Sequence, residues 1–189
     1  MTDITNFRTI YYNTLEMLVD RKYDMEKYLK NKKLIEITDE ELIQNTRIIV
    51  NSDKEDDKVH VYFFTEKMGV NEIKTLFEEL KNDKVTHFMF ITKNKLTSYA
   101  VKEMKKYEKI MYVETFYTDQ MLFNITKHVL VPKHELLTPE ENKLFIQKIG
   151  KKIPHIKKND KVCRYYNGKI DQIFRIYRKN EIYYRIVVL

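Results

Sequence analysis

ETFYTDQMLFNITKHVLVPKHELLTPEE, Glu114 to Glu141, is the stretch in which the chain changes grammar. Its first residues close a β-rich run, Ile110 to Phe116, and its last four are Thr138-Pro139-Glu140-Glu141. That quartet spells a helix start. The threonine hydroxyl can accept from a backbone N–H three residues on, proline suits the first helical position, and Glu141 can reach back to the threonine N–H. All three prolines (Pro132, Pro139, Pro154) and two of the three glycines lie after Thr126. A boundary is therefore expected between Thr126 and Val131, with an N-terminal domain over residues 1–127 and a C-terminal domain over residues 128–189.

Charge divides at the same place. Residues 128–189 hold 14 of the 35 basic residues and 6 of the 28 acidic ones, a net of +8. Residues 1–127 keep the other 21 and 22, a net of −1. The C-terminal domain is expected to meet something acidic, a nucleic acid or a protein surface, or else to carry a solvated lysine-rich face. Lysines (28) far outnumber arginines (7), which argues against base-specific reading by arginine forks.

With 189 residues, 43% hydrophobic and 13% aromatic, the chain can build one ordinary core or two small ones. Its apolar runs fall far short of the roughly 20 residues that span a bilayer, so no membrane partner is expected. MTDITNFRTIYY is no secretory signal, and the single Cys163 cannot close an internal disulfide, so an intracellular, reducing setting is expected.

Upstream of the quoted stretch, Phe7, Ile10, Tyr11, Thr14, Leu15, Leu18 and Val19 recur at helical spacing, with Asp3 or Thr5 as N-cap. A second helix is expected from Thr38, where Glu41 completes a capping box. RIIVNSDKEDDKVHVYFF, from Arg47, reads as two strands around a polar loop. Strand Val59–Phe64, a helix carrying Val70, Ile73, Leu76, Phe77 and Leu80, and strand His87–Ile91 follow. Next comes a Thr97-capped helix with Ala100, Val101 and Met104, then the strand ending at Phe116. This β-α-β-α-β order predicts an α/β domain, a mainly parallel sheet with flanking helices.

Downstream, the Thr138 helix should bury Leu144, Phe145 and Ile149 and stop at Gly150. Asp160 can cap a turn over Val162 to Tyr166, and Lys169–Tyr177 and Ile182–Val188 alternate like strands joined by a polar turn. The expected module is small and α+β.

Residues able to do chemistry are scattered. His60, His87, His128, His134 and His155 form no CxxC or HExxH pattern with the lone cysteine, and three unclustered glycines make no phosphate loop. No metal or cofactor is expected. Cys163 beside Arg164 reads as a small buried hydrophobe, and Ser52 and Ser98 sit in no nucleophile elbow. Asp56-Asp57-Lys58 and Glu72-Ile73-Lys74 have the spacing of a metal-dependent nuclease triplet, although Glu72 falls at a helix start. Tyr62, Phe63, Phe88 and Phe90 belong to apolar strands, whereas Tyr165, Tyr166, Tyr183 and Tyr184 lie in the basic domain and could face a partner.

From Glu114 onward the sequence resembles a small subunit family shared by multisubunit RNA polymerases. Its members are the subunit common to nuclear polymerases I, II and III and the archaeal counterpart of its C-terminal domain. The matching words are Glu114-Thr115-Phe116, Asn124-Ile125-Thr126 with His128, and Leu130-Val131-Pro132-Lys133-His134. Pro154 with Ile156, then Asp160, Val162, Tyr165, Gly168, Arg178 and Tyr184-Arg185 complete the pattern. The N-terminal run from Gly69 to Met104 resembles the eukaryotic type more loosely. The connection from Arg178 to Tyr184 and the linker from Gly150 to Pro154 are shorter than the family's, and Lys161 replaces a common proline.

The resemblance implies a non-catalytic subunit, monomeric within a hetero-oligomer. Its C-terminal domain would dock on the largest polymerase subunit among other subunits. Its N-terminal domain would be a jaw, restriction-endonuclease-like without the active site, near downstream duplex DNA. The implied assembly residues are His128, Val131, Pro132, His134, Pro154, Ile156, Tyr165, Arg178, Tyr184 and Arg185. The compact length and the Lys/Ile/Asn/Tyr bias suggest an AT-rich genome; a large DNA virus with its own polymerase, hence virion and host cytoplasm, is one hypothesis, and a protist subunit working in the nucleus is the alternative. A free-standing nucleic-acid-binding protein and a metal-dependent nuclease are the alternatives.

Overall fold

The computed structural model describes residues 4–25, 47–51, 58–64, 68–83, 85–179 and 181–189. It divides into two compact units, Met1–Phe123 and Asn124–Leu189.

The first unit is built on a sheet of β1 (Arg47–Asn51), β2 (Lys58–Phe64), β3 (His87–Thr92) and β4 (Tyr112–Tyr117), in that order. β1 runs antiparallel to β2, whereas β2, β3 and β4 are parallel, as the two intervening helices require. On the other side of the chain's first strand lies α1 (Ile4–Asp20) in sequence; the intervening helices are α2 (Val70–Asn82) and α3 (Ser98–Tyr107), and a short α4 (Thr118–Met121) follows β4. Register assigns the faces. Tyr62, Phe88 and Phe90 look one way, joined by Phe64 and Val113, and are covered by α2 and α3. Val61, Phe63, Met89, Ile91 and Phe116 look the other way, toward α1, whose Phe7 meets Phe63 edge-on at 5.6 Å. The central strand β3 is buried along its whole length, which is why its sequence is apolar without alternation.

Local signals act where expected. Thr97 Oγ1 accepts from Ala100 N at 3.2 Å and starts α3. The end of α1 is a Schellman turn with Lys22 at φ +64°, where Tyr23 N donates to Leu18 O and Lys22 N to Val19 O. Thr5 lies inside α1, so it is not the cap; Asp3, the Thr38 helix and the Asp56-Asp57 pair lie outside the described residues. Val19 and Val101, expected on apolar helix faces, are exposed, and so is Ile110, expected to begin a strand. Met17 takes the buried place on α1, and Ile110 belongs to the turn before β4.

The second unit holds a mixed sheet ordered β5 (Lys133–Leu136), β7 (Ile173–Arg178), β8 (Glu181–Val188) and β6 (His155–Lys157). α5 (Pro139–Ile149) covers the face of Ile173, Tyr184 and Ile186; α6 (Lys161–Tyr165) covers that of Ile156, Phe174, Ile176 and Val187.

The Thr138 capping box forms in full, Glu141 N to Thr138 Oγ1 at 3.2 Å and Thr138 N to Glu141 Oε2 at 2.9 Å. Gly150 ends α5 at φ +84°, a conformation that penalises any Cβ. The apolar face of α5 differs from expectation: Phe145 and Ile146 pack on the sheet, while Leu144 and Ile149 face solvent. Strand β7 is also shorter than its alternation suggests. Lys169–Gln172 close a turn, with Lys169 N donating to Gln172 Oε1 at 2.7 Å and Asp171 at φ +67°.

Candidate interaction surface

β5 begins at Lys133, opposite Tyr177, which in turn lies opposite Ile182. It therefore enters the sheet at the end where the β7–β8 hairpin turns. The segment feeding it, residues 128–132, is a tight turn. Val131 N donates to His128 O at 2.8 Å, Leu130 N to His128 Nδ1 at 3.2 Å, and His134 Nδ1 to Pro132 O at 2.6 Å. These bonds tie both histidines to their own loop. They also push two apolar side chains outward: Val129 is 93% and Leu130 82% exposed.

The turn is anchored from below. Asn124, buried, accepts at Oδ1 from Thr126 N and Oγ1 and donates from Nδ2 to Tyr165 OH at 3.2 Å. This bond sets the 3-10 turn Ile125–Lys127 against α6. Asp160 Oδ1 in turn caps α6 by accepting from Val162 N at 2.8 Å. Asn124 belongs to the family's wording but not to the implied assembly residues; its burial is a property of the fold.

Strand pairing sorts the remaining residues. His134, Ile156, Arg178 and Arg185 share the α6 face, while Tyr184 points to the α5 face and packs against Phe145, ring centroids 4.5 Å apart and tilted by 42°. Ile156 and Tyr165 are buried and present no surface. Pro154 is exposed, and its carbonyl accepts from Ile186 N at 2.9 Å, fastening β6 to β8. Tyr166 half-buries against Phe174. Of the tyrosines in this unit, Tyr183 is the one clearly outside, with Arg178 over its ring at 5.0 Å.

The two faces differ electrically. On the α5 side Arg175 is held between Glu141 at 2.9 Å and Glu135 at 3.6 Å, and Tyr177 OH donates to Glu135 at 2.6 Å. On the α6 side Arg178 and Arg185 stand near His134, whose basicity is lowered first by burial and then by these two cations. Its bond to Pro132 O and the charge of Asp160 work the other way. The hairpin end of the sheet thus presents Arg178, with Arg185 farther along β8 on the same face, and the exposed Val129-Leu130 turn feeds β5 at that end. Val129 is hard to find from sequence because a run such as His-Val-Leu-Val looks like a buried strand.

Residues 123–188 match the family described as RNA polymerase Rpb5, C-terminal domain. Beyond that segment, the chain is 31% identical to the DNA-directed RNA polymerases I, II, and III subunit rpabc1 of Dictyostelium discoideum, covering all of both chains. The chain belongs to the Rpb5 family. It is also 29% identical to the DNA-directed RNA polymerase V subunit 5C of Arabidopsis thaliana, over 85% of this chain and 72% of that one. With the DNA-directed RNA polymerases I, II, and III subunit RPABC1 of Caenorhabditis elegans the identity is 26%, over 76% and 72%.

In this Rpb5-family chain the reactive groups are turned inward or used structurally. Cys163 is buried in α6, and burial, with Asp160 adding, pushes its thiol up to about 11 despite the adjacent Arg164. Glu72 and Lys74 sit on α2 with Ile73 buried between them, a helical placement that no strand-borne nuclease triplet shares. Among the described residues no three His, Cys, Asp or Glu side chains gather as a metal cage, and no helix is long and apolar enough to cross a membrane.

Proposed function

We propose that this chain is a non-catalytic subunit of a DNA-directed RNA polymerase, docking by residues 128–189 on the largest subunit. The N-terminal domain is then a jaw beside downstream duplex DNA. The observation that carries the reading is the match to the Dictyostelium discoideum subunit, which runs through both domains from end to end. The hairpin end of the second sheet supports it with a surface suited to assembly. Leu130 and Val129 supply an exposed apolar anchor, and Arg178, Arg185 and Tyr183 supply charge and a flat ring. A partner with an apolar pocket rimmed by carboxylates would desolvate the anchor and use the cations for steering. The working place is that of the polymerase, the nucleus in a cellular version or the virion and host cytoplasm in a viral one.

The test is affinity purification of the tagged full-length chain from its own cells or infected host. The wild type should bring down a largest polymerase subunit. V129D/L130D, which buries no new charge in the free protein, should reduce that yield about tenfold or more. Absence of any polymerase subunit from the wild-type sample would sink the assignment. Undiminished yield with V129D/L130D would move the docking surface elsewhere.

A further inference from the structure

We propose that the β6 edge of the second sheet is a docking edge for an extended acidic segment of another protein, which pairs with β6 as an added strand. The inference goes beyond the polymerase reading, because it adds a partner at a place which that reading leaves unused. In the sheet order β5-β7-β8-β6, this edge lies three strand spacings, about 14 Å, from β5 and the exposed Val129-Leu130 turn that feeds it. The two surfaces can therefore be occupied separately.

Charge is concentrated at this edge. Residues 148–161 hold six lysines and one aspartate, a net of +5, whereas the remainder of residues 128–189 holds eight basic and five acidic residues, a net of +3. Lys148, Lys151, Lys152, Lys157, Lys158 and Lys161 are all exposed. Hydrogen bonds keep the segment against the sheet. Ile153 N donates to Lys151 O at 2.9 Å, Ile186 N to Pro154 O at 2.9 Å, and Lys158 N to Val188 O at 2.7 Å. Asp160 N then donates to Lys157 O at 2.9 Å and turns the chain toward α6. Asp171 takes up one of these cations, Lys151, at 2.9 Å.

The backbone decides which kind of anion fits. Among the described residues β6 has a strand neighbour on one side only, β8. Its alternation directs the amide groups of Ile156 to β8 and turns those of His155, with the Lys157 N–H, outward. A peptide backbone can pair with these groups, whereas a phosphate chain has no matching ladder. Residues 148–161 also contain no arginine, tyrosine or phenylalanine, so they lack the forks that fit phosphate and the rings that stack bases. A lysine-lined edge discourages pairing with an apolar strand and, by the same charge, selects an acidic one. Side chains of the added strand would alternate between the faces. Carboxylates on the α5 face would meet Lys157, and those on the other face Lys161 at the start of α6.

The test is fluorescence anisotropy of the full-length chain with a short labelled peptide of glutamate, threonine and valine. K152Q/K157Q/K158Q/K161Q should weaken binding roughly tenfold or more at low salt. The matched control K74Q/K93Q/K102Q/K105Q removes the same charge from exposed lysines of the first unit and should change binding roughly twofold or less. Thermal melting verifies that both variants are folded. N-methylation of alternate peptide amides keeps the peptide's charge and blocks the ladder, and should cost the wild type roughly tenfold in affinity. This arm uses the unmodified chain and stands whether or not the variants fold. In NMR, amide exchange at His155 and Lys157 should slow when the peptide is bound. No binding by the wild type, equal losses in the two lysine variants, or indifference to N-methylation would each overturn the proposal. Displacement of the peptide by a mixed-sequence duplex at lower concentration than by unlabelled peptide would reassign the edge to nucleic acid and overturn it too.

Discussion

Glu114 on β4 accepts from both terminal guanidinium nitrogens of Arg21, Nη1 at 2.8 Å and Nη2 at 3.0 Å, in the buried layer between α1 and the sheet. The residues are 93 apart in sequence. His87 joins them, its Nε2–H donating to Glu114 at 2.8 Å, and in that tautomer its Nδ1 accepts from Tyr23 OH at 3.0 Å. The chain of bonds ties the Schellman end of α1 to two parallel strands. The left-handed Lys22 folds the following Tyr23 back along α1, where its hydroxyl reaches His87.

Removing the charge at the centre of this cluster should be costly. E114Q leaves the buried guanidinium without its carboxylate and is expected to destabilise the fold by about 3 kcal/mol, read from the urea midpoint. Burial alone would push Glu114 up, but Arg21 and His87 reverse this and bring it down to about 2 from 4.5. Its stabilisation is thus present above about pH 4.5 and is lost as pH falls toward 2. In E114Q that segment of the acid profile should flatten. A profile identical to wild type would deny Glu114 this role.

Gly168 is required for space, not for backbone freedom. A Cβ there would stand 2.7 Å from Cys163 Sγ and 3.2 Å from the Phe174 ring. G168A should cost about 1–3 kcal/mol by overpacking. In a double-mutant cycle with C163A, which removes the sulfur, part of that cost should return. Strict additivity in thermal melts would show that the clash is not with the thiol.

The Cys163 thiol should be silent toward thiol-exchange reagents at neutral pH in the native protein, since its ionisation is pushed up to about 11 and its sulfur is buried. Denaturant should release one reactive thiol per chain. Rapid native-state labelling would contradict the packing of α6.

His134 reports on the cationic face. Arg185 and Arg178 both lower its basicity, after burial. R185Q should therefore raise the imidazole titration midpoint, followed by the Cε1–H shift in NMR, and D160N should lower it further. A midpoint indifferent to both substitutions would mean that these groups do not face the ring in solution.

Local chemistry was legible in the sequence, and for a plain reason: a cap or a turn is made within four or five residues. Thr97, Thr138 with Glu141, and Asp160 each accept from neighbours in the chain, so their residue types and spacing suffice to announce them. The apolar strands β2 and β3 and the amphipathic α2 were equally plain, and with them the mainly parallel sheet. The wording around Pro132 was specific enough to carry the family.

Which apolar residue touches what was not legible, because that depends on partners distant in the chain. Leu144 and Ile146 on α5 are equally apolar, yet Ile146 packs on the sheet and Leu144 is 64% exposed. Ile156 and Tyr165 belong to the family's wording and turn out to be interior, whereas Val129 and Leu130 stand in solvent. Arg21 and Glu114 carry no sign of each other in the sequence. The stretch from Glu114 to Glu141 by itself determined where one kind of structure ends and another begins, because strand residues, prolines and caps act locally. Only the tertiary structure decided that its first residue is a buried anion and that its Val129-Leu130 pair faces outward, because burial and ion pairing are settled by residues the chain reaches only after it has folded.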